Sequence, residues 1–258
     1  MGVKIHPTAI VHPEAQLDED VKVGPYAVVD KNVKIGKSTC IEGFAQILGY
    51  TQIGKNCHIF PYAVIGSVPQ DLKYKGEKSF VVIGDNNTIR EFVTINPGTE
   101  KGSSTIVGNN NLIMAYSHIA HNCKIGNNNI LANVATLAGH VEIEDRVVIG
   151  GLVAIHQFCR VGSFSIIGGC SKVVQDVPPY SLCDGHPAKV RGINIVGLKR
   201  AGFSKEKIEI IRKAYKIIFF ENHTFSVARQ IILKELPLLE EINKLLDFIS
   251  SSKRGIAR

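Results

Sequence analysis

From Ile5 onward an Ile, Val or Leu recurs at every sixth residue, through Val11, Leu17 and Val23 to Ile65, again at Ile83, Ile89 and Ile95, and without a break from Val107 to Val173. Of the 29 positions in that phase only Asp71, Glu77 and Lys101 depart from it. The residue four places after each aliphatic is mostly small, as at Ala9, Ala27, Ala45, Ala63, Ser117 and Ala135. Amphipathic strands alternate with period two and helices repeat near 3.6, so a locked period of six belongs to neither. It reads as a hexapeptide β-helix, in which the aliphatic (slot one) and the small residue (slot five) point into a triangular prism. Three hexapeptides close a coil of 18 residues, and the chain supplies about nine or ten coils at the ~4.8 Å spacing of paired strands. The expected fold is all-β, a left-handed parallel β-helix, with a small helical domain after it.

Two stretches leave the pattern. Residues 66–82 carry SVPQDLKYKGEKSF, polar and charged where a prism needs aliphatics. Because Ile65 and Ile83 lie one coil apart in number, the stretch reads as a coil expelled outward into a loop. Long ordered loops on a rigid scaffold usually carry binding function, which makes Asp71 and Lys73 candidates for contacts to a polar substrate. The second, residues 96–105 (NPGTEKGSST), is rich in Gly and Ser and says less.

After Val173 the period is lost. Pro178 and Pro179 cannot continue a β-ladder, which places the boundary between a repeat domain at 1–186 and a second domain at 187–258. Ser204 is a fitting N-cap for a helix over 205–221, with Ile208, Ile211, Ala214, Ile217 and Ile218 on one stripe. Thr224 opens a second helix through Leu236, and Pro237 fits the first turn of a third over 238–249. These form a small bundle that caps or flanks the prism.

Composition narrows the setting. No apolar run approaches the ~20 residues of a membrane span, and the repeat begins too near the N-terminus to leave room for a signal peptide, so the expectation is a cytoplasmic protein. The six cysteines show no CxxC spacing; Cys57, Cys123 and Cys159 fall in slot five as small buried residues, which predicts reduced thiols. The net charge of +7 is uneven: residues 187–258 hold 15 Lys and Arg against 7 Asp and Glu, and residues 1–186 hold 15 against 16. The basic tail suits an acidic protein partner or an anionic phosphate ligand, and no nucleic-acid motif accompanies it.

Four of the nine histidines, His118, His121, His140 and His156, fall within one stretch of the repeat, all outside the inward slots. They are therefore not core histidines. Adding one coil to His121 gives Gly139, and another gives Gln157, so one column reads His, Gly, Gln. A glycine over a histidine leaves a gap without a side chain and a backbone N–H near the imidazole. That pairs a general base with an oxyanion donor, as acyl transfer to a hydroxyl requires. A solvated polar ladder, or a zinc site built from histidines of neighbouring coils, would use the same spacing.

The strings HIAHNC, LANVATLAGHV, HQFC, GGCS, QDVPPY and GLKRAGF, with PQDLKY upstream, closely resemble the bacterial UDP-N-acetylglucosamine O-acyltransferases that begin lipid A synthesis. The likeness spans essentially the whole chain. It implies a homotrimer that moves a 3-hydroxyacyl group from acyl carrier protein to the 3-hydroxyl of UDP-N-acetylglucosamine. No cofactor is implied beyond the phosphopantetheine of the carrier, and no metal. Carried over by position, His121 matches the general base and Gly139 the oxyanion donor. His118, His140, His156 and Gln157 match substrate contacts, and Asp71 and Lys73 match acceptor-binding loop residues. Asn194 and Arg200 match the nucleotide end of the site, and Gly169 the position that limits acyl-chain length.

The chain departs from the family pattern at Asn122, where an Asp is common, at Asn96 in place of a histidine, and at Val196 and Ala201 in place of Glu and Arg. Acyl carrier proteins are acidic, which makes Arg200, Arg212 and Lys216 of the basic tail candidates for docking; the last two lie four apart on one helix. Two other readings stand beside this one. The N-acyltransferase of the same pathway would bring an additional N-terminal domain, for which the repeat at Ile5 leaves no place. A β-helical protein of the carbonic-anhydrase type would hold stoichiometric zinc.

Overall fold

Slots one and five do turn inward: Ile41, Ile47, Ile59, Ile65 and Ile89 are fully buried, and so are Ala27, Ala45, Ala63 and Ala135. The computed structural model describes residues 2–258. Its repeat winds as a left-handed β-helix with three parallel sheets, which open with Lys4–Ile5, Ile10–Val11 and Gln16–Leu17 and are here called the first, second and third faces. Most strands are two residues long, and successive coils pair in register at a step of 18, as in Lys22 with Cys40 and His118 with Thr136. Burying the aliphatic column along the axis is the main stabilising term, at roughly 25 cal/mol per Å² of apolar surface removed from water.

The chain turns the prism's edges largely through slot four, held with positive φ. Tyr26, Phe44 and Tyr62 do so between the first and second faces, Asn122, His140 and Phe158 between the second and third, and Asn56, Asn86 and Asn110 between the third and first. Positive φ is disfavoured for residues with a Cβ, so each edge needs compensating contacts. The first edge supplies them as a ladder of stacked rings, with Phe92 4.8 Å from Tyr116 and 5.1 Å from Tyr62 between centroids. Beside the last edge runs a buried amide ladder, in which Asn111 Nδ2 donates to Asn87 Oδ1 and the Asn129 N–H to Asn111 Oδ1.

The first interruption is shorter than an expelled coil. Val64 pairs with Thr94 at a step of 30 residues and Thr94 with His118 at a step of 24, against the usual 18, so the insertions amount to two hexapeptides and one. Both keep the phase because both are multiples of six. Both also leave the prism at the edge between the second and third faces, one coil above the other.

Nor do Pro178 and Pro179 end the sheet. Ser181–Gly185 pairs in parallel with Ile166–Ile167 and then forms a hairpin with Ala188–Ile193, extending the first face to eleven strands. Four helices follow: α1 (Ile195–Arg200), α2 (Lys205–Tyr215), α3 (Phe225–Glu235) and α4 (Glu240–Ser250), with α2 running on as a π-helical turn at Lys216–Phe220. Ser204 and Thr224 cap α2 and α3 as expected, and all five stripe residues are buried. Pro237 lies ahead of α4, whose N-cap is Leu239, so it sits outside the helix rather than in its first turn. The bundle is tied to the prism by the Tyr215 hydroxyl, which donates to the Pro179 carbonyl, and by the chain's last residues, where the Ala257 N–H donates to the Asp176 carbonyl. Among the described residues no helix is long and apolar enough to cross a membrane.

Candidate functional site

The histidine column stands on the same edge that emits the two loops. His121 follows strand His118–Ile119, Gly139 follows Thr136–Leu137 and Gln157 follows Ala154–Ile155, and these strands pair in register. The His140 N–H donates to the His121 carbonyl and the Phe158 N–H to the Gly139 carbonyl, which locks the stack.

Gly139 has a steric reason to be glycine. A Cβ there would lie 2.4 Å from Cε1 and 2.5 Å from Nε2 of His121, closer than any carbon tolerates. Its backbone is buried, and its N–H makes no hydrogen bond among the described residues. Buried amides are rarely left unpaired, and where one is, a ligand is a physical reason for it.

The protonation of His121 follows from its neighbours. Asn122 Oδ1 accepts from the Thr99 N–H at 3.1 Å; an N–H can only donate, so that atom is the amide's oxygen. The same oxygen lies 2.9 Å from His121 Nδ1, which must therefore carry the proton. Nε2 is left with its lone pair exposed to the space beside Gly139. Asp71 of the first loop stands 3.6 Å from Nε2, beyond hydrogen-bond range but close enough to favour an imidazolium once one forms.

Burial and the neighbouring His121 disfavour the charged forms of His118 and His140. His118 sits 2.7 Å from Thr94 Oγ1, and burial followed by the neighbouring His121 pushes its pKa below the ordinary value. His140 packs edge-on against His121 at 5.2 Å and stacks on Phe158 at 4.6 Å, and burial and then His121 lower its pKa too, opposed by Glu100 and Asp71. His156 and Gln157 are exposed higher on the same edge, with the guanidinium of Arg254 reaching back from the C-terminal segment to 3.2 Å from His156 Nδ1. Lys73 is exposed, and its N–H closes a turn onto Asp71 Oδ1.

The remaining candidates lie elsewhere on the chain. Asn194 is buried at the edge between the third and first faces, where its amide caps α1 through the Gly197 N–H and donates to the Phe164 carbonyl. Arg200 is exposed at the end of the same helix and makes no ion pair among the described residues. Gly169 lies at the edge between the first and second faces, above Gly151. Arg212 pairs with Glu209 at 2.6 Å and Lys216 with Glu221 at 3.2 Å. Within one chain, then, Asp71, His118, His121, Gly139 and His140 converge, whereas Asn194, Arg200 and Gly169 do not join them.

Sequence reasoning missed Thr99, Glu100 and Arg254. Asn122 stood out only as a departure from a pattern. Among the described residues the one group of His, Cys, Asp or Glu with three ligand atoms within 4.8 Å of one another is Cys40, Glu42 and His58, on the outside of the first face. The histidines around His121 do not converge their nitrogens in that way, so a zinc site of the carbonic-anhydrase type is not favoured.

Comparison with known proteins agrees with this geometry. Residues 176–257 match the model of domain 2 of the Udp N-acetylglucosamine O-acyltransferases, and residues 104–139 match the bacterial transferase hexapeptide model. The acyl-[acyl-carrier-protein]–UDP-N-acetylglucosamine O-acyltransferase of Thermodesulfovibrio yellowstonii is 55% identical over 256 residues, 99% of each chain. The chain belongs to the UDP-N-acetylglucosamine O-acyltransferase family. The Myxococcus xanthus member is 50% identical with the same coverage. Among solved structures, the UDP-N-acetylglucosamine acyltransferase of Campylobacter jejuni superposes with a TM-score of 0.92 at 46% identity, covering 98% of this chain and 99% of that one. The chain is an acyltransferase of the hexapeptide-repeat class.

Proposed function

We propose that the protein transfers a 3-hydroxyacyl group from acyl carrier protein to the 3-hydroxyl of UDP-N-acetylglucosamine, the first step of lipid A synthesis. His121 Nε2 takes the proton of the hydroxyl, and the oxygen attacks the thioester carbonyl. The charge that develops on the carbonyl oxygen meets the Gly139 N–H. Collapse expels the phosphopantetheine thiolate, which receives the proton from the imidazolium. Asp71 and Lys73 orient the sugar, with His118, His140, His156 and Gln157 lining its site, and Asp71 steadies the imidazolium. The carrier brings its own prosthetic group, and no other cofactor is required. The observation that carries this reading is the geometry of the column: His121 bonded through Nδ1 to Asn122 Oδ1, with Nε2 turned toward a buried, unpartnered glycine N–H at a position that cannot hold a side chain.

In this reading residues 1–186 are the acyl-transfer domain and residues 187–258 the domain that receives the carrier, working in the cytoplasm as a homotrimer. The ladder of Tyr26, Phe44, Tyr62, Phe92, Tyr116 and Leu152, each 42–60% exposed, is an apolar edge that a partner would cover. A partner also resolves the placement of Asn194 and Arg200: on a neighbouring subunit their edge meets the His121 edge, whereas on the same subunit it cannot. Gly169 then borders the groove between subunits, where its lack of a side chain sets how long an acyl chain fits. Incubation with UDP-N-acetylglucosamine and a panel of acyl carrier protein thioesters, in the presence of chelator and with products read by mass, is the direct test. An acylated sugar nucleotide is expected; hydrolysis alone, or transfer only to an amine, would overturn the assignment.

A further inference from the structure

The second loop, which gave little as sequence, closes onto the residue beside the base. Thr99 donates its N–H at 3.1 Å and its hydroxyl at 3.0 Å to Asn122 Oδ1, and Asn122 Nδ2 donates to Glu100 Oε2 at 3.0 Å. The loop holds its own shape through Ser103, whose Oγ accepts the Glu100 N–H and donates to the Glu100 carbonyl. Every polar atom of the Asn122 side chain is thus engaged, and the last partner in the line from His121 is a carboxylate. Burial opposes the charge of Glu100, but the bonds from Asn122, from its own backbone, from Ser103 and from Thr99 outweigh it and hold the carboxyl below its usual range. It is an anion near neutral pH and can only accept, which fixes Nδ2 toward it and Oδ1 toward His121.

We propose that Glu100 is a positioning residue for His121: from the second loop it fixes the orientation of the Asn122 amide, and through it the tautomer of the imidazole. It also supplies at one remove the negative charge that an amide beside the base lacks. Without Glu100 the amide NH₂ loses its acceptor and only the two Thr99 donors hold Oδ1 toward Nδ1; each time the weakened amide turns, it offers its NH₂ to Nδ1 and leaves the proton on Nε2, where it blocks base catalysis. The pair also explains a constraint on Asn122 itself. A carboxylate at that position would face Glu100 at about 3 Å with no proton between them, so the anion can stand at residue 100 or at residue 122 but not at both. This inference rests on the reading of His121 as the base.

A double-mutant cycle tests it. A hydrogen bond to a charged group on an exposed loop is modest, so Glu100→Ala should lower kcat about tenfold. The KM for either substrate should stay within about twofold, because Glu100 acts on the base and not on binding. Glu100→Gln keeps an acceptor for Nδ2 and should lose only about threefold. Asn122→Asp should lose about tenfold or more, yet combined with Glu100→Gln it should return to within about threefold of the parent, since a glutamine NH₂ can donate to the new carboxylate. The pH profile gives a readout that a merely structural role would not move. The groups facing His121 are Asp71, His118, His140 and, through Asn122, Glu100, and only the last changes in Glu100→Gln. Losing that anion favours the neutral imidazole, so the acidic limb of kcat/KM should move to lower pH. Additive single effects, or a folded Glu100→Ala variant with parental kcat and pH profile, would overturn the proposal. If Glu100→Ala fails to fold, the near-isosteric Glu100→Gln and its cycle decide alone. His121→Ala keeps the two levels apart: activity retained there removes the base itself, whereas an inactive His121→Ala with an additive cycle removes only the role of Glu100.

Discussion

Two edges of one prism share a backbone and almost nothing else. Between the first and second faces, slot four at positive φ is filled by Tyr26, Phe44, Tyr62, Phe92 and Tyr116, which stack on one another. Between the second and third faces the same slot holds Asn122, His140 and Phe158, and the same edge releases both loops. The repeat fixes where side chains stand to within a coil step, and the residue type then decides whether an edge packs, pairs or reacts. The histidine edge gives up the regular ladder for loops that return to it, Asp71 on one side of His121 and Glu100 behind Asn122. The aromatic edge keeps its ladder and leaves it open to a partner.

The strongest way to break the contrast is at the histidine edge. His121→Ala should lower kcat by about 10²–10⁴, the usual worth of a general base, with the melting temperature little changed because the ring makes no core contact. Gly139→Ala should approach that loss: the added methyl would stand 2.4 Å from the imidazole, so the ring must move off its bond to Asn122. Steady-state kinetics beside thermal melts checks both, and a fully active Gly139→Ala would mean that the column is not the reacting centre.

At the aromatic edge the effect should fall on assembly and stability. Phe92 stacks on Tyr62 and Tyr116, and each such pair is worth about 0.5–1.5 kcal/mol beyond burial, so Phe92→Ala should cost about 1–3 kcal/mol. If the proposed homotrimer forms over this edge, Phe92→Asp should in addition shift it toward smaller species at micromolar concentration, read by light scattering. Activity per chain in the proposed assembly should stay near the parent's in Phe92→Ala. A large loss of kcat with assembly intact would show that the two edges are not separable.

Much of this contrast is legible in the order of residues alone. The core is a column of branched aliphatics because nothing else fills the prism, so its period survives in the sequence, and a step of one coil from His121 finds Gly139. What escaped has physical reasons. Insertions of two hexapeptides and one preserve the phase, so counting could not tell an expelled coil from shorter loops, nor show that both leave one edge. Glu100 meets Asn122 only because of the path of its loop. Pro178 and Pro179 end the period but not the sheet, since the chain resumes as a hairpin in which Ser181 is buried and Leu182 exposed, the reverse of what an apolar/polar alternation would mark. Asn194 was matched by position, and its amide turned out to be committed to capping α1.

The basic helices allow a sharper prediction than their net charge does. Arg212 and Lys216 each already face a glutamate, whereas Arg200 has no acidic partner among the described residues. Raising salt from about 0.05 to 0.5 M shortens the Debye length from roughly 14 to 4 Å, so the KM for a carrier-bound donor should rise several-fold. Arg200→Glu should act likewise and more strongly than Arg212→Glu, whose charge Glu209 partly offsets. A carrier-free pantetheine thioester should respond to neither. Equal sensitivity of the two donors would remove the docking role.

The smallest expected effect lies in how pH acts on the histidine edge. The charged form of His118 is disfavoured by burial and by the neighbouring His121, so its pKa in the folded chain lies below the ordinary 6.5 that it has when unfolded. Between those two values the unfolded chain binds the extra proton and the folded chain does not, so stability rises with pH across that window and is lost as pH falls below about 6.5. His140 contributes in the same direction, with Asp71 and Glu100 opposing. Melting curves from pH 7.5 to 5.5 should therefore fall on the acid side, at about 2–4 °C for each kcal/mol lost in a chain of this size. His118→Gln keeps a polar side chain beside Thr94 but cannot take up the proton, and should flatten part of that slope. The aromatic edge has no group that titrates there, so Phe92→Ala should lower the whole curve and leave its slope unchanged. A slope that His118→Gln leaves intact would place the acid sensitivity on other carboxylates or histidines of the chain.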